Sequence, residues 1–135
     1  HRAELPKGQS LTEVFLNQAG RGPARIAIAD QTSGAKSYRD IITACLVLRG
    51  HIKKLEGDHV GIMLPASVTA SIVYLATLFA EKVPVMVNWT AGPRNILASL
   101  DSVGVKYIIT SKMLVDRIAL QGIDLTEVSQ RFCFL

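Results

Sequence analysis

The residues best equipped for chemistry in this sequence are three histidines, two cysteines and one run of unusual polarity, Asn88-Trp89-Thr90, followed by Ala91-Gly92. An amide, an indole and a hydroxyl in succession can donate and accept hydrogen bonds around a ligand, but none is an acid, a base or a strong nucleophile at neutral pH. The same residues equally suit a plain structural task, Asn88 turning the chain and Trp89 covering a sheet edge. The histidines are scattered: His1 is terminal, His51 lies among Arg49, Lys53 and Lys54, and His59 precedes an apolar run. None stands near a serine, cysteine or carboxylate in a spacing that pairs a nucleophile with a base. Cys45 and Cys133 lie far apart and form no Cys-x-x-Cys or His-x-x-x-His pattern. Neither a disulfide framework nor a zinc site is signalled, and reduced cysteines packing as small apolar residues are expected.

Phosphate-gripping loops need glycines that let backbone N–H groups converge on an anion, and neither Gly-x-x-x-x-Gly-Lys-Ser/Thr nor Gly-x-Gly-x-x-Gly occurs. Gly57-Asp58-His59-Val60-Gly61 has two glycines but leads into a strand, at the wrong end of a sheet for a phosphate, and Gly57 reads as a helix terminator. Strand-end aspartates able to hold magnesium and a Gly-x-Ser-x-Gly elbow are both missing. From these residues we expect no catalytic, metal-binding or cofactor-binding apparatus in the chain itself.

The elements that position Asn88-Trp89-Thr90 follow from the apolar pattern. The chain has 135 residues, 49% hydrophobic and 19% charged, with a net charge of +4. That is enough for one domain with a core, and too apolar for disorder. Its basic residues are dispersed from Arg2 to Arg131, which gives no stripe for nucleic acid. No basic segment followed by an apolar one opens the sequence, so no secretory signal is expected.

Ser10-Leu11-Thr12-Glu13 reads as a capping box opening a helix to about Ala19. Ile26-Ala27-Ile28 reads as a strand turned by Asp30 to Gly34 into a hairpin. Ser37 to Asp40 opens a second helix, with Ile41, Cys45, Leu48, Ile52 and Leu55 along one face. Apolar runs then alternate with helices. The runs are 60–64, 83–87, 107–110 and 132–135, and the helices are about 67–81, 93–103 and 112–121. Val60 to Ala80 carries no charge and meets the roughly 20-residue length of a membrane span. Pro65 and Ser67 divide it, so a buried strand followed by a helix with Val68, Ile72, Leu75 and Phe79 on one face is the stronger reading.

Strand and helix in alternation predict an α/β fold, a mostly parallel sheet with flanking helices, Rossmann-like or flavodoxin-like in its layering, preceded by the amino-terminal helix and hairpin. Residues 1–9 are expected to be irregular. Ligands bind such sheets outside the carboxyl ends of the strands, which here are Pro65-Ala66-Ser67, Asn88 to Gly92 and Thr110-Ser111.

Four blocks carry a family resemblance: Ser37-Tyr38-Arg39-Asp40, Gly57 to Ser67, Val83-Pro84-Val85-Met86-Val87-Asn88-Trp89-Thr90-Ala91-Gly92, and Gly104 to Ser111. In order and spacing the chain, over about residues 10–135, resembles the amino-terminal part of adenylate-forming acyl ligases. The block from Val83 to Gly92 looks most like the acyl-acyl carrier protein synthetase portion of bifunctional 2-acylglycerophosphoethanolamine acyltransferases.

The resemblance implies that residues 1–135 are an incomplete subdomain of a larger ligase, inactive alone. The parent would use ATP and Mg to make a fatty acyl-adenylate and pass the acyl group to acyl carrier protein or coenzyme A, with lysophosphatidylethanolamine as a further acceptor. The phosphate loop, the aromatic-Thr-Glu block, the ribose-binding aspartate and the catalytic lysine of the family would follow Leu135. Of the residues present, the resemblance makes only Asn88, Trp89 and Thr90 substrate-adjacent, on the acyl and pantetheine tunnel. A cytoplasmic setting is implied, with the parent at the inner face of the cytoplasmic membrane.

Two departures from the family pattern stand out. Ala66 replaces an asparagine, which leaves Ser67 to cap its helix alone. Glu81 replaces a glycine and would be strained if its backbone φ were positive. The main partner expected is the rest of the ligase domain, and in its absence self-association through the apolar edge at Phe132 to Leu135. The rival readings are a self-contained Rossmann-like module binding nucleotide or coenzyme A, and a membrane-surface protein held by its apolar excess.

Overall fold

The computed structural model describes residues 6–135, so His1 and the start of the irregular segment lie outside the described residues; residues 6–10 form no helix or strand. Helix α1 (Leu11–Gly20) starts where Ser10 Oγ accepts the Glu13 N–H at 3.2 Å. The Glu13 carboxylate, however, accepts from Gln9 N–H at 3.0 Å rather than from Ser10, so the expected reciprocal box is out of step by one residue. Strands β1 (Ile26–Asp30) and β2 (Gly34–Ser37) form the antiparallel hairpin. Helix α2 (Tyr38–Lys53) has the full box: Ser37 Oγ accepts from Asp40 N–H and Asp40 accepts from Ser37 N–H. It ends four residues before Gly57, which at φ 93° shapes the loop into the next strand and does not terminate the helix.

The alternating part follows as β3 (His59–Met63), α3 (Val68–Phe79), β4 (Val83–Met86), a short 3-10 turn (Trp89–Ala91), α4 (Pro93–Val103), β5 (Ile108–Thr110), α5 (Lys112–Leu120), α6 (Thr126–Ser129) and β6 (Phe132–Phe134). The uncharged stretch is thus split between β3 and α3, and no helix among the described residues is long and apolar enough to cross a membrane. Helix α6 lies in a stretch the apolar pattern left as a connection.

The four strands are all parallel, in the order β4-β3-β5-β6. Successive residues of β3 serve opposite faces. Val60, Ile62 and Leu64 join a core with α2 and α3, while Met63 joins one with α4, α5 and α6. The central strands β3 and β5 are buried on both faces and read as near-continuous apolar runs, whereas the edge strands β4 and β6 are partly exposed. Sandwiched between sheet and outer helices, α3 is apolar nearly all round. Val68, Val73, Ala76 and Thr77 are fully buried, whereas the expected face residues Ile72, Leu75 and Phe79 are half-buried on the side of the outer helices.

The two sheet edges differ. Val83 and Val87 donate toward β3, which turns the Pro84 position outward, so β4 presents one donor fewer at its free edge. Strand β6 has no such protection.

Helices α3 and α4 close with one motif. Lys82 N–H reaches Thr77 C=O and Glu81 N–H reaches Leu78 C=O at the end of α3, while Val105 N–H reaches Leu100 C=O and Gly104 N–H reaches Asp101 C=O at the end of α4. Both need a left-handed residue. Helix α4 uses Gly104 at φ 72°, and α3 uses Glu81 at φ 61°, the strained position the sequence pattern pointed to. Glu81→Gly is expected to stabilise the chain by about 1 kcal/mol, read as a rise of about 4 °C in melting temperature.

Candidate functional site

The order β4-β3-β5-β6 places the reversal of strand order between β3 and β5, so the crevice favoured for ligands opens between Met63 to Ser67 and Thr110-Ser111. The seam there is closed by Thr110, fully buried, whose Oγ1 donates to Met63 C=O at 2.7 Å. Each bordering loop ends in a helix cap: Ser67 Oγ accepts the Ala70 N–H at 3.1 Å, and Ser111 Oγ accepts the Leu114 N–H at 3.2 Å.

Ser67 does not cap α3 alone. Asp30, at the end of β1, reaches the same helix terminus, its Oδ2 accepting the Val68 N–H at 2.8 Å while its Oδ1 accepts from Ser33 N–H. These backbone donors, Ser33 foremost and then Val68, hold the Asp30 carboxyl below the usual aspartate range. A carboxylate at the positive end of a helix is favourable, and here it fastens the amino-terminal hairpin to the carboxyl edge of the sheet. The sequence pattern marks Asp30 only as a turn residue, and a contact across so long a separation leaves no local signal.

Asn88, Trp89 and Thr90 lie one strand away from that reversal, after the edge strand β4. Asn88 Oδ1 accepts from Thr90 N–H at 3.0 Å and from Thr90 Oγ1 at 2.6 Å, which winds the 3-10 turn. Trp89 is half-buried and packs against the core shared with α4 and α5. Gly92 at φ 87° then redirects the chain so that Pro93 occupies the first turn of α4, where its missing N–H costs nothing. All three candidates therefore have structural duties, while Asn88 and Thr90 remain exposed and Trp89 is only half-buried.

The other polar groups stand elsewhere. His59 opens β3 beside Val83, at the amino end of the sheet, and His51 is exposed on the last turn of α2. Burial pushes the Cys45 thiol up to about 11, and Cys133 is raised for the same reason. Among the described residues no three of His, Cys, Asp or Glu stand close enough together to hold a metal ion.

The family model of the AMP-binding enzymes matches residues 15–132. The chain belongs to that family. Among solved structures, the Klebsiella oxytoca NpsA amino-terminal subdomain in complex with 3-hydroxybenzoyl-AMSN is 29% identical, with a TM-score of 0.64 over 73% of this chain. The same subdomain with 3-hydroxyanthranilyl-AMSN is 28% identical, with a TM-score of 0.65 over 81%. A benzoate CoA ligase from Burkholderia xenovorans LB400, at 17% identity and a TM-score of 0.68 over 80% of the chain, shows the shared fold. The chain spans only 26%, 28% and 22% of those three chains, respectively.

Proposed function

We propose that the chain is the amino-terminal scaffold of an adenylate-forming ligase, one that uses ATP and Mg to activate a fatty acid and transfers the acyl group to acyl carrier protein or coenzyme A. The observation that carries this reading is the family match over residues 15–132 on a parallel sheet whose carboxyl edge carries the hydrogen-bonding groups of Asn88, Trp89 and Thr90. In that scheme the parent's remaining residues supply nucleotide binding and chemistry, and this chain supplies rigidity and one wall of the acyl channel. Acylation of lysophosphatidylethanolamine and attachment to the inner face of the cytoplasmic membrane belong to the same proposal, and rest on the resemblance of the Val83 to Gly92 block. The rest of the ligase domain is the partner proposed for the open β6 edge, and in its absence that edge pairs with a second copy.

Asn88, Trp89 and Thr90 form the channel wall in this proposal. Trp89→Ala in the full-length parent is expected to raise the KM for the fatty acid about tenfold, the loss of roughly 1.4 kcal/mol of binding, with the KM for ATP unchanged. Pyrophosphate release under steady-state conditions reads both constants. Equal changes in the two, or none in the fatty acid constant, would remove Trp89 from the channel.

A further inference from the structure

Glu81 is the one non-glycine residue with positive φ among the described residues, in a motif that α4 closes with glycine. Strain retained where a smaller residue would relieve it directs attention to the side chain. Glu81 stands on a groove of about 390 Å³ between α1 and the end of α3, with Leu16, Leu78 and Phe79 as its apolar wall and Glu13 beside them. Leu16 is 46% exposed, although it sits beside half-buried core. The carboxyl-terminal end of α3 adds partial negative charge. An apolar groove with an acidic margin fits an apolar stripe that carries a cation.

The chain displays such a stripe on its other layer. Helix α5 exposes Met113 and Leu120, 68% and 89% accessible, with Arg117 between them at helical spacing. Among the described residues neither Arg117 nor Glu81 has an ion-pair partner, while the neighbouring Lys112 and Asp116 pair with each other.

We propose that the α1–α3 groove is a docking surface for helix α5 of a second copy of this chain, with Arg117 against Glu81 and Leu120 or Met113 on the Leu16–Phe79 wall. Groove and stripe lie on opposite faces of the sheet, so the contact is heterologous and does not close at two copies. One helix in one groove is a small interface, which makes the association weak and sensitive to salt.

Sedimentation equilibrium on the whole chain tests this in a Phe134→Lys background, which blocks pairing through the β6 edge. The expected result is an average mass that exceeds the dimer near about 1 mM protein, the range of weak association, and falls toward the monomer in about 0.5 M salt. Glu81→Gly should raise the melting temperature yet weaken association about tenfold. Arg117→Glu should weaken it similarly, and Glu81→Arg combined with Arg117→Glu should restore it. A monomer at every concentration, a Glu81→Gly chain that is more stable but associates as before, or a charge swap that fails to restore the mass would each overturn the proposal.

Discussion

Replacing Gly61 with valine is expected to lower the melting temperature by about 10 °C, a cost of about 3 kcal/mol. Gly61 is the third residue of β3 and is buried in the middle of the sheet. A Cβ there would lie 3.1 Å from Ile108 Cγ1, 3.3 Å from Tyr107 C=O and 3.3 Å from Val105 Cγ1. The carbonyl is backbone, already bonded to Gly61 N–H at 2.9 Å, and it cannot yield without parting β3 from β5. Valine adds two further methyls to a space that barely admits one. Thermal denaturation followed by circular dichroism checks this, and a Gly61→Val chain as stable as the wild type would mean that β3 and β5 are not packed at this register.

The second large effect is placed at the other end of the same seam. Thr110→Val keeps the volume and removes the hydroxyl that donates to Met63 C=O, in a site with no access to water. A loss of about 1.5 kcal/mol is expected, within the range for a buried hydrogen bond whose partner is left behind. Urea denaturation should show a lower midpoint with an unchanged slope, since the same surface is exposed on unfolding. Because valine is isosteric, a destabilisation here reports the hydrogen bond and not a cavity. An unchanged midpoint would show that the bond contributes nothing net at the carboxyl ends of β3 and β5.

How much of this was legible in the residues depends on the range of the interaction. Ser37 and Asp40 announced the start of α2 because a capping box is complete within four residues, and the same pattern at Ser10 and Glu13 was half realised because Gln9 N–H competed for the carboxylate. The strand-helix alternation predicted parallel pairing. The order β4-β3-β5-β6 was not predicted, since each strand is apolar on both faces and any neighbour would satisfy it locally. As a result Asn88, Trp89 and Thr90 could be placed at the carboxyl edge but not one strand away from the reversal of order. Helix α3 shows the same limit: a periodic apolar face implies one partner surface, whereas α3 is packed by the sheet on one side and by α1 and α2 on the other. Glu81 is the opposite case. The end of an apolar helix followed by a strand requires a sharp turn, and the glycine of the family pattern at that position points to a positive φ, which Glu81 adopts.

A chain that is scaffold, as proposed, leaves nucleotide handling to the other parts of the ligase. Calorimetric titration of ATP with Mg into the 135-residue chain is then expected to give no heat beyond dilution up to about 1 mM nucleotide, a binding free energy weaker than about 4 kcal/mol. A saturable isotherm in that range would overturn the scaffold reading and establish the chain as a nucleotide-binding module in its own right.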